Sequence, residues 1–121
     1  MADKEFQAKH RYARISTRKA RTVADLVRGL SVNLALEELS VCHRRASPMI
    51  QKVIRSAMAN AGQDLDVDVN RLYVKDLRVD TGPTMKRWRP RAQGRVYPIL
   101  KRSSHISVVL AETAETAEES E

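Results

Sequence analysis

Along residues 5–14, apolar or aromatic side chains alternate with polar ones: Phe6, Ala8, His10 and Tyr12 lie on one parity, Lys9 and Arg11 on the other. A period of two predicts a strand. From Ser16 the period lengthens. Ala20, Val23, Ala24 and Val27 fall at i, i+3, i+4 and i+7, the apolar stripe of a helix, with Leu26 and Leu30 widening it on one side. Ser16 or Thr17 is the expected N-cap and Gly29 the stop. Arg18, Lys19, Arg21 and Arg28 lie off the stripe. Ser31 can cap a second, short helix with Ala35, Leu36 and Leu39 inward, and 41–45 reads as a connection. Ala46, Ile50, Val53, Ile54, Ala57, Met58 and Ala61 keep helical spacing over about four turns. Pro48 fits the first turn of that third helix, where a missing N–H costs little.

After residue 66 the period returns to two. Val67 and Val69, Leu72 and Val74, then Leu77 and Val79 alternate, with slips of parity that predict bulges. Ile106, Val108 and Leu110 form a matching strand. The pattern predicts a small α+β single domain, about three helices packed on a small antiparallel sheet, with a long extended β-hairpin arm. Ile50, Val53, Ile54, Val74, Ile106 and Val108 are its expected core. Residues 1–110 form the expected domain, with the arm over about 80–104. Residues 111–121, Glu-rich and of low complexity, are an acidic tail expected to be disordered.

Charge changes this picture. The chain of 121 residues has 22 Lys and Arg, 15 Asp and Glu, and a formal net charge of +7. Five of the acids lie in 111–121, so the first 110 residues carry 22 basic against 10 acidic groups. A body so basic attracts a polyanion. Between residues 81 and 111 no acid occurs, while Lys86, Arg87, Arg89, Arg91, Arg95, Lys101 and Arg102 do. Gly82, Pro83 and Gly94 mark turns or bulges there, and Pro90 and Pro98 exclude a central strand. Met85, Trp88 and Ala92 are too few to fold the segment against itself. Such a ribbon is marginal in water and repels itself, so it needs an anionic partner along its length. At about 14 residues per side it would reach on the order of 45 Å, a probe suited to a large folded RNA. Lys9, Arg11, Arg14, Arg18, Lys19, Arg21 and Arg28 make a second candidate patch. Arg44 and Arg45 stand where a helix dipole favours acids, as expected if phosphates lie there.

Other chemistries find less support. Cys42 and His43 are adjacent on a connection, which does not make a nucleophile–base pair with an orienting third group. His10, His43 and His105 lack metal-ligand spacing, so no metal or cofactor is expected. The single Cys42 permits no intrachain disulfide, and no apolar run reaches the roughly 18–20 residues of a membrane span. A soluble, cytoplasmic, non-enzymatic protein is expected. A helix-turn-helix DNA-binding module and a binder of acidic proteins are the alternatives. The first would place its dense charge on a recognition helix, not on a hairpin.

Three blocks carry a resemblance: RKARTVADLVRGL over 18–30, RRASPMIQKVIRSAMANA over 44–61, and VDTGPTMKRWRPRAQGRVYPILKRSSHISVVL over 79–110. The last holds Lys86, then Arg91-Ala92, Gly94-Arg95 and His105-Ile106, with Val108 and Leu110 following. Nearly the whole chain resembles the bacterial large-subunit ribosomal protein L-twenty-two family. The resemblance implies a structural protein of the large subunit that binds 23S-type rRNA and aids assembly. It implies partnership with neighbouring ribosomal proteins and with the nascent peptide, and none with a membrane or small-molecule substrate. Its hairpin would line the peptide exit tunnel, with a tip of Met85, Lys86, Arg87, Trp88, Arg89, Pro90, Arg91 and Ala92. Trp88 stands where the family pattern expects an aliphatic residue, and the Glu-rich tail looks like an extension.

Overall fold

The computed structural model describes residues 5–64 and 67–112. The chain runs β1 (Glu5–Ala13), α1 (Thr17–Val27), α2 (Val32–Val41), α3 (Ala46–Gly62), a 3-10 turn (Val69–Arg71), β2 (Leu72–Thr81), β3 (Met85–Pro90), a tip turn (Ala92–Gly94), β4 (Val96–Lys101) and β5 (Ser104–Glu112). The sheet is antiparallel, in the order β1-β5-β2, and β3 and β4 form a separate two-stranded ribbon. This is the α+β architecture that the periodicities predict.

Each helix forms for a local reason. The Ser16 side chain caps α1 by accepting from the Lys19 N–H, and Ser31 caps α2 by accepting from the Leu34 N–H. α3 starts on Arg45 with no side-chain cap and ends near Gly62. Ala20, Val23, Ala24 and Val27 of α1 are buried, as are Ile50, Val53, Ile54 and Ala57 of α3. They pack onto Leu72, Val74, Leu77 and Val79 of β2 and Ile106, Val108 and Leu110 of β5. All six expected core residues are buried. Leu26, expected to widen the α1 stripe, is instead exposed, because the sheet covers only the narrower arc around Val23 and Val27.

Gly29 sits just past α1 at φ +86, where only glycine is unstrained. Its N–H donates to the Val74 carbonyl, and the Val74 N–H returns a bond to the Leu30 carbonyl. The α1–α2 turn thus clips onto the edge of β2 and covers it. Of the two predicted slips of parity, the one after Val74 is a real bulge, and the one after Val69 is the 3-10 turn that precedes β2. The β2–β5 register shifts between Val74 and Asp76. β1 shifts between His10 and Ala13, which was not foreseen. Tyr12 adopts φ +60 there and is exposed, so it leaves the face it was expected to share with Phe6 and Ala8. Val67 and Val69, expected on a strand, precede β2, and Val69 lies in the 3-10 turn.

β5 runs to Glu112. Ala111 is buried and pairs with Glu5 and with Tyr73. Two residues expected in the tail therefore complete the sheet. The rest of the expected tail, 113–121, lies outside the described residues.

Candidate nucleic-acid interface

The arm is built on a bulged neck. Thr81 pairs with Ser104, and Met85 with Lys101. Three residues, Gly82, Pro83 and Thr84, thus oppose two, Arg102 and Ser103. The Gly82 N–H donates to the Ser103 carbonyl at 3.0 Å, and the Ser103 hydroxyl donates to the Pro83 carbonyl at 2.6 Å. A Cβ on Gly82 would stand 2.7 Å from Ser103 Oγ and 3.2 Å from two Ser103 backbone atoms. Glycine is needed there for close approach.

Beyond the neck, β3 and β4 pair from Met85–Lys101 to Pro90–Val96. The tip closes with Arg91 N–H donating to the Arg95 carbonyl, and Gln93 and Gly94 take positive φ. Counted from Thr81 to Arg91, the arm would span roughly 33 Å at the usual strand rise. That is shorter than the 45 Å expected, because β2 of the body extends to Thr81 and the tip turn consumes the last residues.

Facing pairs share a side of the ribbon. One side carries Met85, Arg87 and Arg89 with Tyr97, Ile99 and Lys101; the other carries Lys86, Trp88 and Pro90 with Val96, Pro98 and Leu100. The first side holds three cations, and the second is apolar except for Lys86. Trp88, Val96, Tyr97 and Leu100 are all exposed. Arg91 lies over the Tyr97 ring, 5.8 Å from its centroid, which stiffens the tip by a cation–π contact.

The expected helix-one patch divides. Arg18 and Lys19 are exposed at the start of α1, beside exposed Arg14. Arg21 and Arg28 serve the fold: Arg21 donates to the Val79 carbonyl through Nε and Nη2, and Arg28 to the Leu77 carbonyl. Arg28 also pairs with Asp25 at 2.5 Å. Together they seal carbonyls on the free edge of β2. Their planar forks suit this task, since one guanidinium reaches a single carbonyl with two N–H groups. Lys9 lies in a groove on the open sheet face among Glu5, Lys75, Asp76, Arg78 and Asp80, where the charges are mixed. Arg11 sits in the β1 bulge.

Arg14, Lys19, Arg44, Arg45, Lys101 and Arg102 converge. They line an open cleft of about 730 Å³ with Ile15, Ser16, Ala46 and Leu100. Sequence reading placed these cations in three separate segments and gave no sign that they meet. The fold brings them together where β1 ends, α3 begins and the arm leaves. Cys42, beside this cleft in sequence, has its thiol pKa lowered first by the Ser47 hydroxyl, then by the Arg44 backbone N–H and the Arg44 charge. The buried Ser47 hydroxyl has no other hydrogen-bond partner among the described residues.

The ribosomal protein L22p/L17e family matches residues 8–111. A large ribosomal subunit protein uL22 from Bdellovibrio bacteriovorus is 50% identical over 108 residues, covering 89% of this chain and 98% of the relative. Another uL22, from Desulfotalea psychrophila, is 52% identical over the same length with the same coverage. The chain belongs to the uL22 family. It is therefore a structural, non-enzymatic constituent of the large ribosomal subunit. The family match runs through Ala111, in agreement with β5 reaching past Leu110. Sequence reading also did not anticipate the outward Tyr12, or Leu100 among the cations of the cleft. Only the parity break after His10 could have signalled the first. Nothing local signals the second.

Proposed function

We propose that this uL22 protein binds large-subunit rRNA of the 23S type, aids subunit assembly, and lines the nascent-peptide exit tunnel with its hairpin. The observation that carries the reading is the arm: free of acids, exposed along its length, and standing apart from the body's core. Such a ribbon repels itself unless an anion lies along it. Lys86, Arg87, Arg89, Arg91, Arg95, Lys101 and Arg102 are its proposed phosphate contacts, joined by Lys9, Arg11, Arg14, Arg18, Lys19, Arg44 and Arg45 on the body. Arg21 and Arg28 contribute through whatever donors their carbonyl bonds leave over. The segment from Met85 to Ala92 is the proposed tunnel-lining tip, which meets the nascent peptide. Neighbouring ribosomal proteins are the other partners, and the cytoplasmic ribosome the location.

The test is the salt dependence of binding to a large-subunit rRNA fragment. Each neutralised phosphate contributes about −0.7 to −0.9 to the log–log slope, and we expect a slope of several units. A flat response would exclude the electrostatic mechanism. Equal affinity for random duplex DNA would favour a general nucleic-acid binder.

A further inference from the structure

We propose that the cleft at the base of the arm binds the backbone of one RNA strand through two or more consecutive phosphates, and that this occupant fixes the arm's direction relative to the body. The proposal rests on the RNA-binding reading above and locates one subsite of it.

The first argument is the composition of the cleft. Its lining holds six cations and no acid. Two other grooves on the body are balanced. On the open sheet face Lys9, Lys75 and Arg78 meet Glu5, Asp76 and Asp80, with Lys75 paired to Glu5 and Arg78 to Asp76. Over the edge of β2, Arg21, Arg28 and Arg78 meet Asp25, Asp76 and Asp80. A fold that balances its charges in those grooves leaves six like charges facing one space here. Their mutual repulsion disfavours the empty state, and a polyanion removes it.

The second argument is the backbone. α1 and α3 both begin at this cleft, and neither has an acid in its first turn. α3 has no side-chain cap at all. The positive ends of two helix dipoles therefore point toward the space the cations surround, an arrangement that favours anions. The volume of about 730 Å³ equals some two dozen waters at ~30 Å³ each. This is room for a stretch of backbone rather than a single phosphate. Leu100, half exposed on the lining, offers an apolar surface for a ribose.

The third argument is the position of the walls. Arg14, Lys19, Arg44 and Arg45 belong to the body, whereas Leu100, Lys101 and Arg102 are the root of the arm. Between them lies the bulged neck at Gly82–Thr84. The arm's two strands make a sheet of their own, so the neck is where its direction is set. A strand of phosphates held by both walls would bridge the neck and stiffen it.

Two measurements on the full chain test this. Tripolyphosphate, titrated against the ¹⁵N-labelled protein, should give saturable amide shifts confined to residues 16–19, 44–47 and 101–102. Spin labels on Asn33→Cys and Gln93→Cys, in a Cys42→Ser background, should show a distance distribution that narrows when tripolyphosphate or a single-stranded RNA decamer is added. Arg45→Glu with Arg102→Glu should weaken tripolyphosphate binding at least tenfold and abolish the narrowing. Lys52→Glu with Arg55→Glu, exposed on α3 and outside the cleft lining, should leave both intact. If the glutamate pair lowers the melting temperature, the glutamine pair replaces it.

Shifts spread evenly over the arm, or a cleft variant that binds like the parent, would overturn the site. An unchanged distance distribution at saturation would overturn the effect on the arm. If deleting 113–121 alone moved the cleft amides, an acidic peptide and not RNA would be its occupant. Tripolyphosphate bound in the cleft without any affinity for large-subunit rRNA would defeat the broader RNA-binding reading instead. Normal rRNA affinity in the cleft variant would defeat only this inference.

Discussion

Gly82 shows how one residue can govern the arm. A Cβ there would press on the Ser103 backbone at 3.2 Å as well as on its hydroxyl at 2.7 Å, and the backbone cannot rotate away. Gly82→Ala should therefore cost about 1–3 kcal/mol, the usual range for overpacking, read as a lowered midpoint in thermal or urea denaturation. Adding Ser103→Ala removes the nearer clash and leaves the backbone one, so partial recovery is expected. Full recovery would place the whole cost on the hydroxyl. Cys42 offers a different residue-scale test. Its thiol pKa is lowered by the Ser47 hydroxyl and by Arg44. A lowered pKa stabilises the thiolate, so a larger thiolate fraction is present near neutral pH than in an ordinary cysteine. Alkylation by iodoacetamide should reach half its limiting rate at a lower pH than for free cysteine. Ser47→Ala should move that midpoint upward, and an unmoved midpoint would show that the hydroxyl does not act on the sulfur.

Among the elements, the hairpin and the sheet obey different rules. β5 is central, paired on both sides and buried at alternate positions. The β3–β4 ribbon is paired only to itself, and nearly all of its residues are exposed. Deleting Met85, Lys86 and Arg87 should leave the melting temperature of the isolated protein within a degree or two, because no buried core residue is lost. A large drop would mean that the ribbon belongs to the core. In the ribosome the same deletion should change tunnel behaviour. It would shift the pairing register and re-aim Arg89 and Arg91, which passage of stalling peptides would report. The opposite holds at the end of β5. Truncation after Glu112 should be neutral for stability. Truncation after Leu110 should lower the midpoint clearly, since it removes buried Ala111, its pairings with Glu5 and Tyr73, and the Glu112–Arg71 ion pair at 3.7 Å. Equal midpoints for the two truncations would show that the last turn of the ladder contributes little.

For the whole molecule, charge and shape divide the labour. The body buries an aliphatic core of Val, Ile, Leu and Ala and uses two of its arginines, Arg21 and Arg28, to seal a sheet edge. The arm and the cleft hold cations with no acid among them. Charge used for stability and charge left on acid-free surfaces are thus separated in space, although Arg18, Lys19, Arg21 and Arg28 are neighbours in sequence. The same separation underlies the expected salt response. The arm and the cleft should supply most of the slope, and the sealed arginines little of it.

Local patterns sufficed for much of this protein. Helical spacing from Ala46 to Ala61 and alternation from Leu72 to Val79 report burial directly, because a face that packs must repeat at the period of its element. Ser16, Ser31 and Gly29 mark helix ends because the backbone groups they satisfy lie within a few residues. The acid-free arm was legible because a hairpin is contiguous in sequence. Tertiary structure decided what depends on contacts between distant residues. The outward turn of Tyr12 follows from a bulge against β5, where its N–H meets His105 Nδ1 at 3.0 Å. The use of Arg21 and Arg28 follows from the nearness of the β2 edge. The meeting of Arg14, Arg45 and Arg102 follows from three segments converging at the neck. Charge states a residue's chemistry, but only packing determines which neighbours that charge will face.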